Sequence, residues 1–257
     1  MPTQNNAPVP QLRTIPRDRH PISRKDISSA ALRVLYRLRE GGHEAYLVGG
    51  CVRDALMGLT PKDYDICTSA LPEQIIPLFD RTVPTGVKHG TVTVIIRSLP
   101  FEVTTFRTDA DYTDHRRPDA VVFSESLAED LKRRDFTINA MAFHPAKGLI
   151  DPFGGNDDMQ RKIIRTVGDP QERFNEDALR MLRAIRFMSR FGFSVHKTVL
   201  DAIKQLAGTI QYVSRERILS ELNGILLSPF PESIRVVFET GLSVYIFPPH
   251  PAIIPRF

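Results

Sequence analysis

The chain has 257 residues, 42% of them hydrophobic, and a formal net charge of +4. That is enough apolar material for one large domain or two, and the mild positive charge is compatible with RNA binding without demanding it. The two cysteines give neither a disulfide framework nor a zinc spacing and suit a reducing cytoplasm; no apolar run approaches the ~20 residues of a membrane span.

Residues 1–27 read as a disordered basic arm. Pro2, Pro8, Pro10, Pro16 and Pro21 oppose an amphipathic targeting helix, and no hydrophobic signal-peptide core accompanies Arg13, Arg17 and Arg19. Ser28 to Arg39 has helical periodicity through Ala31, Leu35 and Leu38 and stops at Gly41-Gly42. Strands are predicted near 45–48, 63–67, 91–96 and 101–106, with helices near 51–58 and 72–79. Val92, Val94 and Ile96 alternate with Thr91, Thr93 and Ile95, which gives one strand face a more apolar character. Leu149-Ile150-Asp151 and Ile163-Ile164-Arg165 add short strands around Gly154-Gly155. Beyond about Asp169 strand signals vanish, and helices are predicted near 175–191, 196–207, 214–227 and 231–240. The expectation is an α/β head over 28–168 followed by an all-α neck over 169–257.

Two short motifs carry the chemistry. Leu47-Val48-Gly49-Gly50-Cys51-Val52-Arg53-Asp54 places a glycine pair at the opening of a helix. Glycine lets the backbone turn sharply, and a helix start directs free N–H groups and a positive dipole end at a phosphate. Arg53 adds a cation there. Asp63-Tyr64-Asp65 puts two carboxylates at i and i+2, on one face of an extended segment. Hard carboxylate oxygens suit Mg²⁺, which also takes substrate phosphates as ligands. Either motif alone is ordinary: a turn, or a solvated loop. Twelve residues apart, and beside a basic helix start, they fit nucleotidyl transfer.

Other positions read two ways. Ala178, Met181, Leu182 and Ile185 fall on one side of a helix, with Asp177, Arg180 and Arg183 on the other and Arg186 nearer the apolar edge. That is an ordinary amphipathic helix, or an Arg–Asp pair offering donors and acceptors to a base edge. Arg133-Arg134-Asp135 reads alone as a charge cluster at a helix start, with Asp135 its N-cap. Glu102, on a strand expected beside the aspartates, is a third carboxylate that assists deprotonation of an RNA 3′-hydroxyl or is structural. His89 reads as structural.

The stretch from Tyr46 to Asp65 resembles the head domain of the polymerase-β-like class II tRNA nucleotidyltransferase and bacterial poly(A) polymerase family. Lys88 to Val92 and Phe101 to Arg107 resemble its middle strands, and Asp111 to Val121 its flexible loop. Asp130-Leu131-Lys132-Arg133-Arg134-Asp135-Phe136-Thr137-Ile138-Asn139-Ala140 is similar to its ribose-selecting motif. Glu176 to Phe187 is similar to its base-selecting helix, and Ser214 to Ile218 with Glu221-Leu222 to a neck motif. The resemblance covers roughly residues 20 to 248.

The resemblance implies a polymerase-β-like head and assigns roles. Asp63 and Asp65 hold Mg²⁺, with Glu102 as candidate third catalytic carboxylate. Gly49, Gly50 and Arg53 cradle the triphosphate. Arg133 contacts the nucleotide, Asp135 accepts from a ribose hydroxyl, and Asn139 supports the site. Asp177 and Arg180 template the base; Arg183 and Arg186 also bind nucleotide. The expected reaction adds C and A to the 3′ end of tRNA from CTP and ATP, releasing pyrophosphate, in the cytoplasm and with no membrane or protein partner. A-adding, CC-adding and poly(A)-polymerase activities are the alternatives, and a non-catalytic RNA-binding remnant the remote one. The lead-in at Ile15 to Ser29 favours poly(A) polymerase, Gly86 to Thr91 favours the tRNA enzymes, and the intact loop at Asp111 to Val121 argues against a CC-only enzyme. Family members continue into body and tail domains that grip tRNA. This chain stops at Phe257, so those domains are expected to be absent.

Overall fold

The computed structural model describes residues 12–109 and 121–247, which divide into two compact units between Asp157 and Asp158. The loop at Asp111 to Val121 lies, but for Val121, outside the described residues.

In the first unit the expected disordered arm is ordered from residue 12 onward. Strand β1 (Thr14–Ile15) adds to the edge of the sheet, and Ser23 and Asp26 form a reciprocal cap around a 3₁₀ turn. Helix α1 (Ser29–Glu40) follows Ser28, whose hydroxyl accepts from the Ala30 amide at 3.3 Å. Its buried stripe of Ala31, Val34, Leu35 and Leu38 supplies the energy that a 12-residue helix lacks by itself.

There follow β2 (Ala45–Val48), α2 (Gly50–Leu56), β3 (Asp65–Thr68), α3 (Pro72–Ile75), β4 (Thr82–Gly86), β5 (Thr91–Ile96) and β6 (Leu99–Thr105). A small ribbon joins β7 (Arg107–Asp109) to β8 (Val121–Phe123), and α4 (Leu127–Lys132), β9 (Ala142–His144) and β10 (Gly148–Ile150) complete the unit. The sheet has eight strands in the order β1-β10-β9-β2-β3-β6-β5-β4. Only β3 and β6 are parallel; the others pair antiparallel. Every residue of β2 is buried, as its central place requires. Tyr46, Val48, Cys67, Phe106, Leu131 and Ala142 form a core against which Phe153 packs.

Register positions the site. Val48 pairs with Ala142 on one side and Asp65 on the other, and Asp65 pairs with Glu102. One row of the sheet thus ends in the Gly49 turn, Asp65 and Glu102. Three local expectations change. Strand β3 begins at Asp65, so Asp63 lies in the bend before it. The helix expected over 51–58 starts at Gly50 and ends at Leu56, and that over 72–79 is one α turn followed by a 3₁₀ turn at Ile76–Leu78. Pro77 removes an amide that a longer helix would need.

The division between units falls within α5 (Gly155–Gln160). The second unit contains β11 (Ile163–Ile164), α6 (Pro170–Glu176), α7 (Leu179–Phe191), β12 (Ser194–Val195), α8 (Lys197–Leu206), α9 (Arg215–Leu226), α10 (Arg235–Glu239) and α11 (Leu242–Ile246). Apart from the two-residue parallel pair β11–β12 it is helical. The helix expected over 175–191 is two. Asp177 adopts extended angles (φ −144°, ψ 104°) between α6 and α7, and its carboxylate accepts the Leu179 amide at 3.0 Å. Aspartate at such a junction satisfies a helix N–H that has no partner in its own helix. Among the described residues no helix is long and apolar enough to cross a membrane.

Candidate active site

In the first unit Gly49 is the hinge. It takes φ 72° and ψ −131°, a conformation that strains any residue with a Cβ. Its amide donates to Met141 O at 3.3 Å, and its carbonyl accepts from the Arg53 amide at 3.2 Å, starting α2. Gly50, Cys51 and Val52 then open the helix with the amides that have no intrahelical partner. A side chain on Gly49 would lie 3.0 Å from Arg134 Nη1 and 3.8 Å from Asp65 Oδ2. Gly49→Ala is therefore expected to cost on the order of 1–3 kcal/mol from the backbone alone and to displace the Arg134 guanidinium. Urea unfolding and nucleotide incorporation check it; a variant with wild-type values of both would remove Gly49 from the site.

Asp65 and Glu102 are both exposed at the row end. The protein around Asp65 strips part of its hydration and raises its carboxyl above the ordinary value; the charge of Arg134 opposes this, and Glu102 and Asp63 add to it. Asp65 thus feels two further carboxylates, with the Arg134 guanidinium opposing them. That fits a hard divalent cation completed by substrate phosphates and water. Among the described residues no group of three or more His, Cys, Asp or Glu side chains lies close enough to hold a metal ion without substrate.

Arg53 is 4% exposed. Its guanidinium donates to Asp54 Oδ1 at 2.9 and 2.6 Å and to Asn139 Oδ1. Asn139 in turn donates to Asp135 Oδ1 at 3.0 Å, which also accepts the Phe136 amide at 2.8 Å. The glycine motif and the ribose motif are thereby joined by one hydrogen-bonded chain. The expected cation at the start of α2 is instead a buried brace.

The Arg133-Arg134-Asp135 cluster lies at the end of α4, not at a helix start, and Asp135 is not an N-cap. Asp130, fully buried, organises it. Its Oδ1 accepts from Arg133 at 3.0 and 2.8 Å and its Oδ2 from Arg134 at 3.1 Å. Burial pushes the Asp130 carboxyl up, but the charges and hydrogen bonds of Arg134 and Arg133 outweigh it and hold it below the ordinary range. Sequence reasoning gave Asp130 and Arg134 no role. The Asp-x-x-Arg-Arg spacing, i to i+3 and i+4 on a helix, was the available signal.

In the second unit the Arg180 amide donates to Asp177 O at 3.0 Å, but the two side chains are engaged with other groups. Asp177 Oδ2 accepts from Arg217 at 2.8 Å, and Arg180 donates to Glu176 Oε2 at 2.5 Å and to Arg173 O at 3.3 Å. The break at Asp177 separates the two residues that a continuous helix would have aligned. Arg186 donates to Glu221, crossing α9 where Gly224 leaves room: a side chain there would lie 2.6 Å from Arg186 Cδ. Arg183 and Arg186 also lie over the Phe187 ring, at 5.5 and 4.8 Å. Arg217 and Glu221 stood in a quoted motif without a role.

Cys51 and Cys67 are buried free thiols. Burial, chiefly, raises both thiols, Cys51 to about 12, which disfavours the nucleophilic thiolate.

Comparison with known proteins places this arrangement. The family described as "Poly A polymerase head domain" matches residues 45–165, and "Probable RNA and SrmB- binding site of polymerase A" matches residues 192–253. A CCA-adding enzyme of Geobacillus kaustophilus is 50% identical over 217 residues, covering 84% of this chain and 54% of that protein. One of Limosilactobacillus reuteri is 47% identical over 213 residues, covering 82% and 53%. The chain thus spans about half the length of the curated relatives it matches. Among solved structures, the Bacillus stearothermophilus CCA-adding enzyme in complex with CTP superposes with a TM-score of 0.78 at 45% identity, over 84% of this chain and 53% of that one. The Thermotoga maritima CCA-adding enzyme complexed with tRNA gives 0.74 at 29% identity, over 88% and 53%.

Proposed function

We propose, on the premise that this chain belongs to the class II tRNA nucleotidyltransferase and bacterial poly(A) polymerase family over its head and neck, that it transfers CMP and AMP to the 3′ end of tRNA. The observation that carries the reading is the Gly49 turn set beside Asp65 and Glu102 at the end of one sheet row. The names of its relatives, among them complexes with CTP, ATP and tRNA, supply the substrates.

In this reading Asp63 and Asp65 hold Mg²⁺, which when bound supplies charge to the α-phosphate and favours an ionised 3′-hydroxyl. The chain does the rest. The amides opening α2, after Gly49 and Gly50, receive the triphosphate, and Arg53 keeps that turn tied to Asn139. Asn139 and the Phe136 amide aim Asp135 at the ribose hydroxyl, and Asp130 holds Arg133 for the sugar end. Glu102 either takes the hydroxyl proton or keeps Asp65 in place. In the neck, which we start at residue 169, Asp177, Arg180, Arg183 and Arg186 read and hold the base. We place the reaction in the cytoplasm.

The test is incubation with labelled CTP and ATP, separately and together. Acceptors are tRNAs lacking A, CA or CCA, and an unrelated RNA. Completion of CCA on tRNA alone is the expected ladder. A-only extension, or long tails on any RNA, would select the other activities, and no product would leave a binding remnant.

Base choice gives a second expectation. Glu176 rather than Asp177 orients Arg180, so Glu176→Gln should loosen discrimination by ~1–3 kcal/mol, the worth of a bidentate reader. UTP and GTP incorporation should rise relative to CTP and ATP. Asp177→Ala should do so as well, with an added stability loss of about 1 kcal/mol from the lost cap. Unchanged relative rates for all four nucleotides in both variants would return α7 to a plain amphipathic helix.

A further inference from the structure

A second cavity lies in the first unit, at the opposite end of the sheet from Asp65. Strand β2 runs from Ala45 to Val48 with Asp65 at the Val48 end, whereas the β9–β10 turn at 145–147 follows His144 at the other end. The cavity has a volume of about 230 Å³ and is lined by Arg17, His20, Arg24, Lys147 and Gly148, among others. None of these belongs to the proposed transfer machinery.

His20 is the unusual member. It is 7% exposed, and neither ring nitrogen has a hydrogen-bond partner. Its ring is held edge-on by Phe143 at 5.8 Å, so its direction is fixed by packing. A buried polar side chain without a partner is rare and destabilising. Gly148 keeps the space beside it open: a Cβ there would lie 3.8 Å from His20 Nε2 and 3.1 Å from Ile15 O, at φ +88°.

The surrounding charge is cationic. Arg17, Arg24 and Lys147 line the cavity. Lys147 donates to Glu44 at 2.7 Å and to the Tyr46 hydroxyl at 2.6 Å, and Arg24 lies 5.5 Å over the Tyr36 ring. Asp18 is the carboxylate that acts on His20. The Ala146 and Lys147 amides are spent on His144 Nδ1, so side chains, not the turn, would meet a ligand. Three cations and an unpartnered imidazole lining one small polar space match an oxyanion that accepts several hydrogen bonds.

We propose that the His20–Arg17–Arg24 cavity binds a phosphate group, with His20 as the buried donor and Arg17 and Arg24 as the charge. The group is either a free phosphate or a phosphate of an RNA strand, and the cavity chemistry is the same for both. In its absence, burial and then Arg17 hold His20 below the ordinary histidine range, with Asp18 opposing, so the ring is neutral near pH 7. A bound dianion favours the charged ring and moves its titration upward.

The experiment follows the His20 imidazole by ¹⁵N-resolved NMR in the full chain. Inorganic phosphate is titrated into the millimolar range at constant ionic strength, with chloride as control, and a short single-stranded RNA is titrated separately. The expected result is a saturable shift of the His20 nitrogens and an upward move of its titration midpoint. Both should be lost in an Arg17→Ala/Arg24→Ala double variant, whose substitutions lie at exposed positions, and the binding heat should be lost in His20→Gln. Saturation by RNA at lower concentration than phosphate would identify a strand as the source; saturation by phosphate alone would identify the free ion. An unmoved His20 with both, or an equal shift in the double variant, overturns the proposal. Because the signal is His20's own, the result stands apart from whether the carboxylate site transfers nucleotides.

Discussion

Asp65→Asn is expected to abolish nucleotide transfer and, in the metal-free protein, to raise the melting temperature. The two effects have one cause. Burial strips hydration from Asp65, and Glu102 in register and Asp63 add repulsion against the opposing charge of Arg134, so its carboxyl is held above its ordinary value. A carboxyl raised in the folded state penalises folding above that raised value, and the penalty is relieved as pH falls through it. The neutral amide removes the desolvation cost and the repulsion, which together outweigh the lost attraction of Arg134, so the variant should melt higher at pH 7, and its advantage should vanish in acid. The same change removes a hard oxygen ligand, and with it several kcal/mol of charge stabilisation; a loss of ~4 kcal/mol is about 10³-fold in rate. Mg²⁺ should raise the melting temperature of the wild type but not of the variant. Incorporation within about tenfold of wild type, equal to ~1.4 kcal/mol, would remove Asp65 from the reaction.

Much of this site was legible in the sequence because its parts are local. The Gly49-Gly50 turn, the strand after Asp65 and the alternation in β5 follow from glycine freedom and side-chain period. What escaped depends on partners far along the chain. Arg53 meets Asn139 across 86 positions, whereas the pairing of Glu102 with Asp65 is anticipated by a strand expected beside the aspartates. The tie between Asp177 and Arg217 spans 40 positions, beyond the reach of any helix period. His20 was invisible for the same reason: its burial depends on Phe143, while its own segment is proline-rich and basic. Two positions that local reasoning did reach, Arg133 and Asp135, were given the wrong end of a helix, since Arg133 caps the C-terminus of α4. Cationic residues in a last turn are as common a signal as acids in a first one.

The second large effect is expected at Asp130. Asp130→Asn keeps the shape but leaves Arg133 and Arg134 without the carboxylate that each of them contacts. Breaking a buried ion pair by removing one partner typically costs 3–5 kcal/mol, because the remaining charge stays desolvated. For a chain of this size that is a fall in melting temperature of roughly 6–20 °C. The pH dependence has a definite sign. Asp130 is held below the ordinary carboxylate range in the folded state. Its contribution is therefore complete above that range and lost as pH falls through the depressed value. The gap between wild type and variant should be widest at neutral pH and should close in acid. Function should fail before the fold does. Arg134 loses its anchor on Asp130 while Asp65 still attracts it, and at Gly49 its Nη1 sits against the turn that opens α2. Released, Arg134 is expected to pair with Asp65 and compete with the cation, so the variant should need more Mg²⁺ for half-maximal transfer even at temperatures where it is fully folded. Urea unfolding across pH and a Mg²⁺ titration of activity check both parts. A stability loss under about 1 kcal/mol, the range of a solvated pair, would mean that Asp130 does not carry the two arginines.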